Sequence, residues 1–308
     1  MILGLYVTQG WAEMDGNGNY WPAQPPGLPP AFYPTPADPL VSPDFAGWWR
    51  RSFALVRRIW KPALTLQAIL VVPMAALLIP SQLMLAEQQE NLQEAAVARP
   101  GDIAPLADAL TVGFASLGMT FAVLLISTVA TSITARMVVR AATGQPVGLK
   151  AAAASALRRV HAVIGWQIVG LLLAGLSVLA CVLPVIYVAA VIAILPVVAT
   201  LERGTGVGRC FALFNADLGT SVSRVATILG LNIGASLALG VVSVALEIIV
   251  GGTAGNVAGS VLNALYYLPA GVILPPLLVT AYADMRARRE PFSTAYLAPA
   301  PAPTPQQT

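Results

Sequence analysis

The feature that most constrains this chain is an apolar run of 40 residues, 162–201, that contains no charged side chain. A helix of about 20 residues crosses a membrane core about 30 Å thick, so the run is too long for one crossing and fits two. We place the break between them at Cys181–Pro184, because proline is tolerated in the first turn of a new helix. Spans are therefore predicted over 162–182 and 184–201.

Further apolar segments bring the predicted number of spans to about six. The composition agrees, since 57% of the residues are hydrophobic and only 10% are charged, against about 25% charged residues in soluble domains. The sequence predicts an all-α fold, a polytopic membrane helical bundle of three hairpins, each preceded by an amphipathic segment. The other predicted spans cover residues 62–85, 109–135, 224–249 and 256–283.

Basic residues are distributed very unevenly between the two sides of this predicted topology. Of the 17 Lys and Arg residues, only Arg99 falls on the side opposite the termini, in a loop that also carries acidic residues. Loops rich in Lys and Arg stay in the cytoplasm. The chain is therefore expected to be a multi-pass protein of the cell membrane with both termini in the cytoplasm.

The two ends of the chain differ in composition from the apolar middle. Residues 14–46 hold nine prolines and no Lys or Arg. Proline-rich segments of this kind cannot build a packed core, so we predict a disordered cytoplasmic tail over 1–46 and a second one over 291–308. The membrane domain is then 47–290. Translation could begin at Met1 or at Met14, and the sequence does not decide between them.

A basic amphipathic segment, Gly47–Lys61, comes directly before the first span. On a helix its tryptophans and aliphatic residues share one arc and its cations share the other, which is typical of a helix lying in the membrane interface. The alternative is a basic flank that continues into the span, although Pro62 favours a bend. The candidate lipid-interface residues are Trp48, Trp49, Arg50, Arg51, Arg57, Arg58, Trp60 and Lys61.

Two stretches carry a family resemblance: the run from Leu195 to Leu213, LPVVATLERGTGVGRCFAL, and Tyr282 to Glu290, YADMRARRE. They resemble bacterial six-span proteins of the glycerophosphoryl diester phosphodiesterase membrane-domain family and the YciC-like inner-membrane proteins. The resemblance implies a membrane domain without the catalytic domain. Cys-Phe at 210–211 departs from the serine and tryptophan usual there. The motif residues are Glu202, Arg203, Arg209, Phe211, Tyr282, Asp284, Arg286, Arg288 and Glu290.

Residues suited to catalysis are scarce in this sequence. His161 is the only histidine, so a nucleophile triad or a multi-histidine metal site is hard to build. No GxxxxGK[ST] or GxGxxG phosphate-binding motif is present. We therefore predict no enzymatic activity, no cofactor and no metal site. Nucleic acid is not an expected partner, because the basic residues flank the spans.

Several polar residues and prolines fall inside the predicted spans. Glu247 could be functional or could simply reach the lipid headgroups, and both interpretations stay open. Prolines 269, 275 and 276 are expected to bend the sixth span, near residues 271–276, either as a packing kink or as part of a transport site. Interhelical hydrogen bonds are expected from Gln67, Gln167, Asn232 and Asn263.

These patterns favour a non-enzymatic membrane protein that associates with lipids, with anionic headgroups preferred. Other membrane proteins or a second copy of the chain are the further possible partners, in a role in membrane organisation or homeostasis. The alternative is a transporter or permease component for a small molecule or lipid, which the kinked sixth span suggests.

Overall fold

The computed structural model describes residues 11–14, 20–22, 33–98, 104–179 and 182–298, and helices dominate this described part. Two short strands, β1 (Trp11–Met14) and β2 (Tyr20–Pro22), pair antiparallel ahead of the helices. A short 3-10 helix, Thr294–Leu297, lies C-terminal to the last α-helix. The α-helices are α1 (Phe45–Ala98), α2 (Ala104–Ala142), α3 (Leu149–Leu157), α4 (Val160–Val178), α5 (Val182–Ile192), α6 (Leu195–Leu201), α7 (Val207–Phe214), α8 (Leu218–Val250), α9 (Gly252–Leu265) and α10 (Tyr267–Arg289).

Six stretches of the helical chain are long and apolar enough to cross a membrane. Each corresponds to one predicted span, so the predicted fold class is confirmed and the protein is an integral, multi-pass membrane protein. Large apolar side chains are exposed on their outer surfaces, with Phe114 72% and Leu237 67% exposed. Such surfaces are suited to lipid. The stretches are Phe45–Ala95, Ala107–Ala142, Val160–Val178, Val182–Leu201, Leu218–Val250 and Gly252–Arg289.

Helix packing follows the three predicted hairpins. α1 packs along α2, α4 pairs with α5, and α8 pairs with α9 and α10, while α10 also lies against α1 and α2. Gly251 (φ 73°) and Gly252 (φ 54°) reverse the chain between α8 and α9 with positive φ angles that glycine adopts without steric cost. In α9, a Cβ on Gly255 would lie 2.9 Å from the Cα of Glu247, so this glycine permits close helix contact.

The structure has the break predicted at Cys181–Pro184, although Cys181 itself lies outside the described residues. α4 ends at Val178 and α5 begins at Val182, with Pro184 in the first turn of α5. A second interruption, which we did not predict, separates Ile192 from Leu195. Its cause is Pro196 in the first turn of α6, because proline has no N–H to donate to the carbonyl of Ile192.

The prolines near residues 271–276, where a bend was predicted, do not end the helix there. Both prolines of that stretch remain inside α10. The interruption in the sixth span is at Tyr266, between α9 and α10. Pro269 explains it, because the proline ring clashes with the carbonyl four residues earlier, which belongs to Leu265, the last residue of α9.

The basic segment Gly47–Lys61 does not form a separate helix. α1 continues through Pro62 without a break, so the segment is the first part of a 54-residue helix. Its apolar arc faces the protein: Trp48 and Ile59 are 0% exposed and Leu55 is 2% exposed. We therefore correct the expected interfacial helix, because α10 and its neighbours cover the apolar face that was expected to enter lipid.

Two segments that flank the predicted membrane domain pack against the bundle, the second beginning at the last residue of that domain. We call residues 33–44 the N-terminal strap and residues 290–298 the C-terminal strap. Leu40, Val41 and Phe292 are all fully buried. The packed part of the chain therefore extends beyond both predicted domain boundaries. The sequence pattern did not predict that the folded bundle would bury these apolar side chains.

Candidate functional site at the basic end of the bundle

Long-range hydrogen bonds gather the straps, the α6–α7 loop and several helix ends at one end of the bundle, which we call the basic end. The backbone N–H of Ser42 donates to Asp284 Oδ1 at 2.5 Å and thereby joins the N-terminal strap to α10. Arg159, just before α4, donates to the Glu202 carbonyl at 3.0 Å. Segments far apart in the sequence thus meet where most of the predicted motif residues lie.

Five of the motif residues form one group, the carboxylate–arginine cluster: Glu202, Arg209, Tyr282, Arg286 and Glu290. Arg209 bridges both carboxylates, with Nε 2.8 Å from Glu202 and Nη2 2.7 Å from Glu290. The hydroxyl of Tyr282 donates to Glu202 at 2.8 Å and accepts from Arg286 Nη1 at 2.9 Å. Arg286 Nε also donates to Glu290 at 2.5 Å.

Local structure explains how the two motif stretches meet. Tyr282, Arg286 and Glu290 follow one another at intervals of four, so they share one face at the C-terminal end of α10. Glu202 is the C-terminal cap of α6, and Arg209 lies in α7. The cluster therefore fastens the short loop between α6 and α7 to the end of the sixth span.

The charges of this cluster are balanced by two carboxylates and two guanidinium groups. Burial alone would raise the pKa of Glu290, but hydrogen bonds from Arg286 and Arg209 outweigh it and hold the pKa below its ordinary value. Burial alone would lower the pKa of Arg209, and its bonds to Glu202 and Glu290 reverse that shift. Both shifts favour the charged forms of Glu290 and Arg209, which bond to each other.

A second ion pair lies deeper, between Arg224 of α8 and Asp284 of α10. Arg224 Nε is 2.7 Å from Asp284 Oδ2, and the two side chains are 3% and 0% exposed. The other end of the Arg224 guanidinium donates to the carbonyl of Asp44, and its Cζ lies 5.4 Å from the Trp48 ring. Asp284 was predicted from its motif. Arg224 was assigned only to a basic flank, although its place at the very start of a predicted span was a usable signal.

The remaining motif residues lie outside the carboxylate–arginine cluster. Arg288 pairs with Asp217, and hydrogen bonds from Thr220 and the charge of Arg288 hold the pKa of Asp217 below its ordinary value despite burial. Phe211 packs against Tyr187 with ring centroids 5.8 Å apart. Arg203 is exposed. The structure therefore brings most of the motif to one end of the bundle, but not into one site.

The candidate lipid-interface residues divide into two groups. Trp48 is buried and Trp49 is partly buried against the core, so neither is free for lipid as predicted. Arg51 donates to the Pro36 carbonyl of the N-terminal strap at 2.8 Å. The others are exposed. We call the four cations among them the basic face of α1: Arg50, Arg57, Arg58 and Lys61. Trp60, which is also exposed, lies next to Lys61 in the sequence.

Of the four polar residues predicted to form interhelical hydrogen bonds, Asn232 and Asn263 do so. The buried Gln67 and Gln167 each keep a polar atom, Nε2 and Oε1 respectively, without a partner among the described residues. The Tyr266 hydroxyl of the α9–α10 junction donates to Asn232 of α8 at 2.8 Å, and Asn263 donates to Ser243 at 3.3 Å. The Gln67 side chain lies against α10 and is only 3% exposed. Glu247 is exposed near the end of α8. These bonds hold the third hairpin together.

Comparison of the chain with protein-family models, curated proteins and solved structures finds no match. Within the described residues, no three His, Cys, Asp or Glu side chains lie close enough together to hold a metal ion. The chemistry of the basic end therefore has to be interpreted from its own geometry. That geometry consists of fixed, internally paired charges within the bundle and a row of exposed cations on α1.

Proposed function

We propose that this membrane protein is not an enzyme and that it associates with anionic lipid through the basic face of α1. The observation that carries the proposal is the division of the basic segment between two surfaces. Its apolar side chains are buried in the bundle, whereas Arg50, Arg57, Arg58 and Lys61 are exposed just before the apolar part of α1 begins. Cations at the end of a span lie at the depth of lipid headgroups.

Simple energetics support a lipid role for this face. Each cation near an anionic leaflet contributes about 1 kcal/mol, and salt screens part of that contribution. Trp60 is 47% exposed, and the Lys61 ammonium lies 5.6 Å from its ring centroid. An aromatic side chain beside a cation at a span end is typical of the membrane interface.

Topology and family are part of the same proposal. The basic end would lie in the cytoplasm, because it holds the ends rich in Lys and Arg, and the membrane would be the bacterial cell membrane. We also propose membership of the six-span family named above. Support comes from the way its motif residues engage one another, since Glu202 and Arg209 of one stretch bond to Tyr282 and Glu290 of the other.

The test is to identify the lipids and proteins that remain on the full-length protein after gentle solubilisation, by native mass spectrometry. We expect phosphatidylglycerol or another anionic lipid to be enriched over its share of the membrane. Replacing Arg50, Arg57 and Arg58 with Gln should reduce that enrichment several-fold. The control, Arg140, Lys150 and Arg289 to Gln, removes the same charge elsewhere. Lipids retained in membrane proportions would refute the proposal, and specifically retained proteins would identify membrane partners.

Transport is the second candidate, and one observation favours it. In the sixth span, Pro269 leaves the carbonyl of Leu265 without its helical N–H donor, and the buried Gln67, which lies against Gly271, carries an Nε2 group without a hydrogen-bond partner among the described residues. Freed backbone carbonyls beside polar groups occur at transport sites. In proteoliposomes, a substrate flux that Gln67→Leu abolishes, without loss of the retained anionic lipid, would favour transport over simple association.

A further inference from the structure

Three arginines from different parts of the chain converge at the C-terminal end of α6. Arg136 near the end of α2 and Arg159 just before α4 both donate to the carbonyl of Thr200, the latter at 3.2 Å. Arg159 also donates to the carbonyl of Glu202 at 3.0 Å. Arg203 follows directly, close enough for its charge to act on both other guanidinium groups. We call Arg136, Arg159 and Arg203 the arginine triad.

Helix capping accounts for only part of this arrangement. The C-terminus of a helix carries about half a negative charge, and arginines there bond well to its free carbonyls. Three full positive charges exceed that. None of the ion pairs found among the described residues includes a member of the arginine triad. The Nε of Arg136 is buried without a hydrogen-bond partner among those residues.

Among the described residues, no acidic side chain forms an ion pair that would neutralise the triad. Burial lowers the pKa of Arg159, and the neighbouring charge of Arg203 lowers it further. The nearest acidic residue in sequence, Glu202, directs its carboxylate to Arg209 and Tyr282 in the carboxylate–arginine cluster. An anion bound at the triad would relieve the repulsion and supply an acceptor for free N–H groups.

The position of the triad indicates what kind of anion can reach it. Arg159 and Arg203 lie just outside the ends of the membrane-spanning stretches Val160–Val178 and Val182–Leu201, and Arg136 lies within the last two turns of Ala107–Ala142. Headgroup phosphates lie at this depth. Guanidinium groups bind phosphate oxygens with paired, planar N–H donors, a geometry that lysine does not offer.

We infer that the arginine triad binds a phosphate group, and that this group is the phosphodiester of an anionic lipid. The inference rests on the proposed function, since it gives lipid association a defined site in addition to the diffuse attraction of the basic face of α1. Free phosphate shares the recognised chemistry, so the experiment must separate the two sources. Lipid is favoured because α4, which begins directly after Arg159, exposes apolar side chains farther along its length, with Leu172 69% exposed, and these could hold acyl chains.

The experiment uses the delipidated full-length protein in a neutral detergent. Phosphatidylglycerol, phosphatidylcholine and inorganic phosphate are titrated separately, and binding is followed by native mass spectrometry and phosphorus NMR. The test variant is Arg159→Gln with Arg203→Gln. The control, Arg140→Gln with Arg158→Gln, removes the same charge from adjacent positions. Arg203→Gln alone is the fallback if the double variant does not fold, because Arg203 is exposed.

We expect the test variant to bind phosphatidylglycerol about tenfold or more weakly than the wild type, since hydrogen bonds to charged groups are lost, while the control changes little. Arg203→Gln alone should weaken binding several-fold. Equal losses in test and control would overturn the site and leave general lipid association standing. A wild type that prefers no anionic lipid would overturn the lipid source. In that case, phosphate binding lost only in the test variant would support the triad, and no phosphate binding would overturn it.

Discussion

Arg224 and Asp284 form an ion pair inside the protein, and the surroundings explain why this burial is tolerated. Asp284 accepts hydrogen bonds from Arg224 and from the backbone of Ser42. Arg224 has a further acceptor in the Asp44 carbonyl and lies against the Trp48 ring. A buried charge with this many partners is compensated, but removal of either member leaves the other without its counterion.

Replacing Asp284 with Ala should therefore destabilise the protein by about 3–5 kcal/mol, because Arg224 remains buried and unpaired. The measurement is unfolding of the purified protein in detergent, followed by circular dichroism. Arg289→Gln is the control. Arg289 is exposed and, within the described part of the chain, donates only to the Ala212 carbonyl, so its loss should cost about 0.5 kcal/mol or less. Similar stabilities for the two variants would contradict a central role of the buried pair.

The sequence identified some of these residues and not others, for a physical reason. Glu202, Arg209 and Tyr282 belong to local motifs, and the motifs marked them before their contacts were known. Arg136 and Arg159 were assigned only to the basic flanks, because nothing in their neighbourhood distinguishes an arginine that caps a distant helix from one that faces the headgroups. Such roles depend on contacts between residues far apart in sequence.

At the scale of elements, proline was the least reliable guide. Pro62, Pro73 and Pro80 lie inside α1, which stays continuous, whereas Pro196 and Pro269 coincide with interruptions. Prolines are tolerated in membrane helices where neighbouring groups and local adjustments satisfy the freed carbonyls. The outcome at each proline therefore depends on packing around it, which composition and spacing do not encode.

The two straps were not predicted, because their order also depends on packing against the bundle. In the structure, the side chain of Asp38 holds both straps. Asp38 accepts from the backbone N–H groups of Leu40 and Val41 at 2.9 and 3.0 Å, within the N-terminal strap. It also accepts from the backbone N–H of Thr294 at 2.8 Å and from its hydroxyl, in the C-terminal strap. Proline content predicted a disordered tail, but buried apolar residues and one carboxylate hold this part in place.

Replacing Asp38 with Ala should loosen both straps together, because four hydrogen bonds are lost at once. Hydrogen–deuterium exchange should become faster in residues 33–44 and 290–298, with little change in the six spans. Glu90→Ala, an exposed position far along α1, serves as the control. Faster exchange in the N-terminal strap alone would show that other contacts hold the C-terminal strap. One such contact is that of Arg286 with Phe292, whose ring centroid lies 4.5 Å from the Arg286 Cζ.

At the scale of the whole molecule, prediction succeeded because the membrane imposes simple physics. Apolar length fixed the number of spans, and the structure has all six. The predicted topology places nearly all the cations on one side of the membrane. In the structure, segments predicted to lie on that side meet at the basic end: Arg159 contacts Glu202, and Ser42 contacts Asp284. The proposal that this end faces the cytoplasm rests on charge alone.

Topology can be tested by labelling single cysteines in intact bacterial cells with an impermeant maleimide. Cys181 is first replaced with Ala, whereas Cys210 can stay, because burial raises the pKa of its thiol to about 12 and the reactive thiolate is scarce. Glu94→Cys, at the end opposite the basic end, should be labelled from outside. Gln145→Cys, in the α2–α3 loop between Arg140 and Lys150, should react only after permeabilisation. If external reagent modified Gln145→Cys, the basic end would face outward, and the proposed contact with the cytoplasmic leaflet would be excluded.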